Sequence, residues 1–111
     1  MRDLRMYILV NKDIEISKGK LGGQIGHACG CYTYHNRGEL LDEYMTGSIK
    51  KIVLHAPQKL LEELEDEGYL SIRDNGLTEL EPNTLTCVNY GIVDYAEISK
   101  HKILKRLQLV K

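Results

Sequence analysis

The sequence predicts an α/β protein of three layers, with helices on both faces of a mixed four-stranded sheet in which three strands run parallel and one returns antiparallel. Three observations carry this prediction. Apolar runs at residues 4–11 and 48–56 are each followed by a stretch with helical spacing, the alternation that builds parallel sheets. Crossovers of this kind are right-handed, so the third strand joins the first two in the same direction. After it, a polar loop of roughly ten residues most economically brings a fourth strand back antiparallel.

Leu4 to Asn11 reads as the first strand, and the near-continuous run Met6-Tyr7-Ile8-Leu9-Val10 implies burial on both faces. A helix is expected to open at Gly19 or Lys20 and to run to about His35. Gly22, Gly23, Gly26 and Gly30 cost close to 1 kcal/mol each there relative to alanine. Close approach to the sheet is the expected reason, with approach to a ligand as the alternative. Arg37 to Thr46 reads as a shorter, partly helical connection with Leu40, Leu41 and Tyr44 at helical spacing.

Ser48 to Ala56, through Ile49, Ile52, Val53 and Leu54, is the second buried strand. Pro57 takes the first helical position after it, where a missing N–H does no harm. Leu60, Leu61 and Leu64 give that helix its apolar stripe, and Gly68 ends it at C′. Tyr69 to Arg73 is the third strand and Asp74 to Asn83 a polar loop. Thr84 to Tyr90 is the fourth strand, with Leu85 and Cys87 on one face and Thr84, Thr86 and Val88 on the other. Asp94 with Glu97 makes a capping box for a last helix that carries a basic cluster.

The 111 residues are expected to form one domain, 1–111, and a composition of 42% apolar and 28% charged residues excludes wholesale disorder. No apolar run approaches the ~20 residues that cross a bilayer, and the first residues lead into a strand with no signal peptide, so a cytoplasmic protein without a membrane partner is expected. Cys29, Cys31 and Cys87 suit a reducing compartment as free thiols. On a helix Cys29 points about 200° away from His27, so His27, Cys29 and Cys31 do not converge on a metal ion. A net charge of −1 argues against coating of nucleic acid through bulk charge, and no DNA partner is expected. The charge is nevertheless separated: Lys100, Lys102, Lys105, Arg106 and Lys111 cluster without an acid, while Glu62, Glu63, Glu65, Asp66 and Glu67 lie elsewhere. One cationic side can therefore meet RNA.

Lys20 stands where a helix begins, the end that electrostatics least favours for a cation unless a phosphate or a developing oxyanion visits. The topology puts Lys20, Asp74, Thr78, Thr84 and Thr86 along one edge of the sheet, the edge at which open α/β sheets bind ligands. There Asp74 can orient or deprotonate a water, Lys20 can hold a phosphate or offset charge on a tetrahedral intermediate, and Thr78 and Thr86 can position both. A structural ion pair is the plainer alternative for Lys20 and Asp74. Gln24 and His27 can face the same cleft from the helix, although a core histidine bonded to backbone is the safer expectation for His27. There is no Gly-x-Ser-x-Gly elbow, and Lys18-Gly19-Lys20-Leu21 lacks the features of a Walker A loop. Hydrolysis of an activated acyl group without a covalent nucleophile or cofactor fits what remains.

Gly19-Lys20-Leu21-Gly22-Gly23-Gln24-Ile25-Gly26-His27-Ala28, Lys51-Ile52-Val53-Leu54, Ile72-Arg73-Asp74-Asn75-Gly76-Leu77-Thr78 and Thr84-Leu85-Thr86 occur in this order across nearly the whole chain. Together they resemble the signature of the archaeal and eukaryotic type of peptidyl-tRNA hydrolase. The resemblance implies a mixed four-stranded sheet between helices, a homodimer, and hydrolysis of the ester joining a peptide to the 3′ ribose of tRNA. It makes Lys20, Asp74, Thr78 and Thr86 the expected catalytic positions. Gln24, His27, Lys18, Gly76 and Thr84 are the expected substrate contacts, and the basic cluster supplies Lys100, Lys102, Lys105 and Arg106 as the expected RNA-binding set. The chain departs from the family pattern at Gly22, Gly23, Ile25 and Gly26, where the family has two alanines before the glutamine and Cys-Ser after it. It also carries Glu79 in place of glutamine, Asn83 in place of glycine, and Gly91-Ile92 in place of Gly-Pro. Asn83 keeps the left-handed backbone accessible, whereas Glu79 and Glu81 add negative charge beside a site for RNA. A catalytically diverged RNA- or protein-binding module on the same fold is the alternative function.

Overall fold

A computed structural model describes residues 2–77 and 79–111. Its elements are β1 (Leu4–Asn11), α1 (Lys18–His35), α2 (Glu39–Thr46), β2 (Lys50–Ala56), α3 (Gln58–Asp66), β3 (Leu70–Arg73), β4 (Leu85–Asp94), a 3₁₀ segment (Tyr95–Lys100) and α4 (Lys102–Lys105). The sheet order is β2-β1-β4-β3. β1 and β2 are parallel neighbours, while β4 pairs antiparallel with both β1 and β3. Thus β1, β2 and β3 share one direction and β4 opposes them, but the returning strand is inserted between β1 and β3. A short carboxy-terminal extension adds to the β2 edge, where His55 N donates to Gln108 O at 2.8 Å and Val110 N to Val53 O at 3.0 Å.

β1 is buried almost throughout, and its alternate side chains feed two separate cores. Tyr7 and Leu9 pack with Leu54, Leu61, Leu64, Leu85, Val88 and Leu104 on the α3 face. Met6, Ile8 and Val10 pack with Ala28, Leu41, Tyr44 and Cys87 on the α1 and α2 face. Burying each large side chain contributes on the order of 2 kcal/mol. α3 ends in a Schellman arrangement: Gly68, at φ 100°, donates to Glu65 O, and Tyr69 N donates to Leu64 O. Asn83 sits at φ 67°, the left-handed conformation its side chain tolerates.

Several local expectations are corrected. Ser17 caps α1 by accepting from Lys20 N, which starts the helix at Lys18. β2 opens at Lys50 rather than Ser48, because Ile49 at φ 47° closes α2 by donating to Tyr44 O, and as the outer strand it lies half-exposed rather than buried. Pro57 is the N-cap of α3, one position earlier than expected. The last helix is broken in two. Asp94 caps the 3₁₀ segment through Ala96 N, Glu97 pairs with Lys100, and His101 leaves helical geometry with Nδ1 2.7 Å from Tyr90 Oη. The helical glycines do not approach the sheet. α1 presents Leu21, Gln24, Ile25, Ala28, Cys29 and Tyr32 inward, and a Cβ built on Gly19, Gly22, Gly23, Gly26 or Gly30 meets nothing within 4 Å.

Candidate active site

Lys20 and Asp74 meet at the carboxyl-end rim of the sheet. Lys20 occupies the third position of α1, one turn above the buried Gln24 and two above the buried Ala28, which seat the helix on the sheet. Asp74 follows β3 at the opening of the loop. Its backbone N donates to Thr84 O at 2.8 Å and its carbonyl accepts from Asn83 N at 2.6 Å, so the segment entering β4 holds it from across the loop. Lys20 Nζ lies 2.5 Å from Asp74 Oδ1, with the side chains 18% and 5% exposed, respectively. That shielding distinguishes the pair from a solvated surface ion pair, while leaving the ammonium reachable from outside.

Asp74 Oδ2 accepts from Gly76 N at 2.8 Å. The Lys20 ammonium, followed by the Gly76 amide, holds the Asp74 carboxyl below the usual carboxylate range. A carboxylate offers about four lone-pair sites, so Asp74 retains acceptor capacity for a water, and two of the three ammonium protons of Lys20 remain available. Gly76 has φ 74°, and a Cβ there would lie 2.6 Å from Pro82 N. Only glycine fits this turn.

Thr86 is buried behind the pair. The β3–β4 register matches Ile72 with Cys87 and Arg73 with Leu85, so Thr86 is the extra residue of a bulge. The bulge corrects the expected faces of β4. Leu85 joins the α3-side core and Cys87 the α1-side core. Thr86 turns toward α1, with Oγ1 2.8 Å from Gln24 Oε1 and 3.0 Å from Ile72 O. Bulges beside functional sites re-aim side chains in this way. Burial pushes the neighbouring Cys87 thiol up to about 12, which makes it inert.

The other expected contacts divide. Thr84 Oγ1 donates to Glu81 O at 2.6 Å and is spent on the turn. Lys18 is exposed at the first position of α1. His27 is exposed on the outer side of α1 rather than bonded within the core, since the face that packs on the sheet is the one carrying Gln24 and Ala28. Thr78 lies outside the described residues. Within the basic cluster, Lys100 is paired with Glu97, and Lys102, Lys105 and Arg106 are exposed. Two residues gain a position that local pattern did not assign them: Glu79 accepts from Ser17 N at 2.8 Å and from Ser17 Oγ at 2.7 Å, joining the loop to the cap of α1. The departure from glutamine at this position was the available signal.

The arrangement of an ionised carboxylate, an ammonium and a buried hydroxyl–amide pair can orient a water and stabilise an oxyanion. Comparison with known proteins points to the same class of chemistry. Residues 4–110 match the family model described as peptidyl-tRNA hydrolase PTH2. Similar curated proteins bear the name peptidyl-tRNA hydrolase. One from Staphylothermus marinus is 38% identical over 99 residues, covering 80% of this chain and 82% of the relative. Another from Methanopyrus kandleri is 35% identical over 105 residues, covering 86% and 90%. A third, from Thermoplasma volcanium, is 30% identical over 98 residues, covering 79% and 84%.

Proposed function

The chain belongs to the PTH2 family of peptidyl-tRNA hydrolases, and from that premise we propose how its own residues carry the reaction. It hydrolyses the ester between a peptide and the 3′ ribose of tRNA, releasing peptide and free tRNA. The contact between Lys20 and Asp74 is the observation that carries the mechanism.

Asp74, ionised at neutral pH, accepts a hydrogen bond from the attacking water and takes its proton as the C–O bond forms. Lys20 faces the negative charge that develops on the carbonyl oxygen and is held in place for it by the same carboxylate. Gln24 and Thr86 fix the floor beneath them, and Thr78, one of the family's catalytic positions, completes the set. Collapse of the tetrahedral intermediate breaks the bond to the ribose oxygen, which takes up the proton that Asp74 removed from the water. A free aminoacyl ester carries an α-ammonium beside the reacting carbonyl, which the Lys20 charge disfavours; a peptidyl ester does not. The exposed Lys102, Lys105 and Arg106 support a role in meeting tRNA phosphates, with Lys100 contributing less because Glu97 offsets its charge. The family resemblance supports a homodimer working in the cytoplasm.

The test is to incubate the purified protein with peptidyl-tRNA and with aminoacyl-tRNA, alongside Lys20→Ala and Asp74→Ala. Cleavage of the peptidyl ester alone is expected, falling by about two orders of magnitude or more in either variant, the scale of losing an acid–base or oxyanion group. A wild-type protein that cleaves neither would leave a diverged binding module as the surviving reading.

A further inference from the structure

A polar cleft opens on the same rim as Lys20 and Asp74, at the β2 end. It has a volume of about 350 Å³ and is lined by Lys12, His55, Arg106, Leu107 and Gln108. Lys12 directly follows β1, His55 lies at the carboxyl end of β2, and Arg106 follows α4. The carboxy-terminal extension hydrogen-bonds to the β2 edge and so brings Arg106 from the far end of the chain to Lys12.

Two cations line this cleft with no acid among its walls. Neither Lys12 nor Arg106 enters an ion pair among the described residues. Asp13, next to Lys12, is engaged elsewhere, its Oδ2 accepting from Gln58 N at 2.8 Å. Glu63 lines the adjoining groove, which shares Arg106 and Leu107 with this cleft, but makes no ion pair with Arg106. His55 Nδ1 is the one buried side-chain polar atom among the described residues with no hydrogen-bond partner. Buried polar groups in native proteins are nearly always paired, and an unpaired one calls for an explanation. A half-rotation of the imidazole about Cβ–Cγ preserves its outline and trades that nitrogen for a carbon, and His55 also lines the cleft.

We propose that Lys12, His55 and Arg106 form a phosphate subsite that grips the RNA backbone of the acceptor arm while its 3′ end reaches Lys20 and Asp74. The assignment rests on the peptidyl-tRNA reading above and adds to it a fixed point on the RNA. Strand order supports the geometry. From the cleft at β2 to Asp74 at β3 the rim crosses β1 and β4, roughly 15 Å at the ~4.8 Å spacing of neighbouring strands. A few nucleotides of single-stranded 3′ end span that distance. Lysine and arginine supply the charge, and the imidazole supplies a directional hydrogen bond to a phosphate oxygen.

The probe is a deacylated RNA hairpin that copies an acceptor stem and ends in unpaired CCA. Its affinity is measured against salt concentration for the wild type and for the double variant Lys12→Gln/Arg106→Gln, whose substituted positions are exposed and whose folding is checked by circular dichroism. Losing two phosphate contacts lowers the magnitude of the log–log slope by about two. His55→Phe, which keeps a ring without its nitrogens, weakens hairpin binding about fivefold and leaves the slope closer to wild type. A double variant that keeps the wild-type slope overturns the subsite, as does a wild type that does not bind the hairpin. Peptidyl-tRNA cleavage by the wild type in the same preparation then shows that the catalytic reading stands without it.

Discussion

Glu79 holds Ser17 by both of its polar hydrogens, accepting the amide at 2.8 Å on one carboxylate oxygen and the hydroxyl at 2.7 Å on the other. Ser17 Oγ in turn accepts from Lys20 N at 3.2 Å. The loop after Asp74 is therefore fastened to the turn of α1 that aims Lys20. A carboxylate also suits the positive end of a helix better than a neutral amide does. The added acid thus has a specific place in this protein.

Glu79→Ala releases that fastening and is expected to lower kcat/KM for peptidyl-tRNA roughly tenfold or more, the scale of a small misplacement of reacting groups. Glu79→Gln keeps an acceptor and a donor for Ser17 and is expected to stay within about threefold of wild type. Steady-state kinetics of both variants checks this, and equal losses in the two would contradict a positioning role.

The Asp74 carboxyl is held below its ordinary range by Lys20 and then by the Gly76 amide. The sign follows directly. A depressed folded pKa adds stability that is complete above the unfolded value, about 3.9 for aspartate, and is lost as pH falls through the folded value beneath it. If ionised Asp74 is required, kcat/KM shows no acid limb between neutrality and about pH 4. A rate profile that bends near pH 6 would point to a different base.

Thr86→Val keeps the shape and removes the hydroxyl shared with Gln24 and Ile72 O. A buried amide and carbonyl then lose a partner, at a cost of about 1–3 kcal/mol. The urea midpoint is expected to fall, and kcat to fall with it as Gln24 loses its anchor. Unchanged stability would show that water replaces the hydroxyl.

Gly30→Ala and Gly26→Ala add a methyl group to open space on the outer face of α1. Each is expected to raise stability by about 0.5–1 kcal/mol, through helix propensity and a less flexible unfolded chain. Denaturant titration measures the gain. Stabilisation by both substitutions is the result expected of an exposed helix face.

β1 could be read from the sequence to the residue, Leu4–Asn11, because an uninterrupted apolar run between polar ends reports burial locally. Gly68 at the end of α3 was equally legible, since it expresses the conformational preference of a single residue, and left-handed Asn83 followed from the glycine that the family pattern has there. Ordered motifs sufficed to mark Lys20 and Asp74 and to suggest the family. The outward face of the glycines was also recoverable, because Leu21, Ile25, Ala28 and Tyr32 already trace the opposite stripe of α1.

Other features depended on partners distant in the chain, and only the tertiary structure decided them. Insertion of β4 between β1 and β3 is a choice among pairings, and the bulge that turns Thr86 to Gln24 arises where two strands fall out of step. The split of the last helix follows the contact of His101 with Tyr90, and the seat of Glu79 depends on Ser17 across the rim. Propensity and periodicity are properties of neighbours along the chain. Strand order, register and the closing of a loop onto a helix are set by contacts that form only once the sheet is assembled.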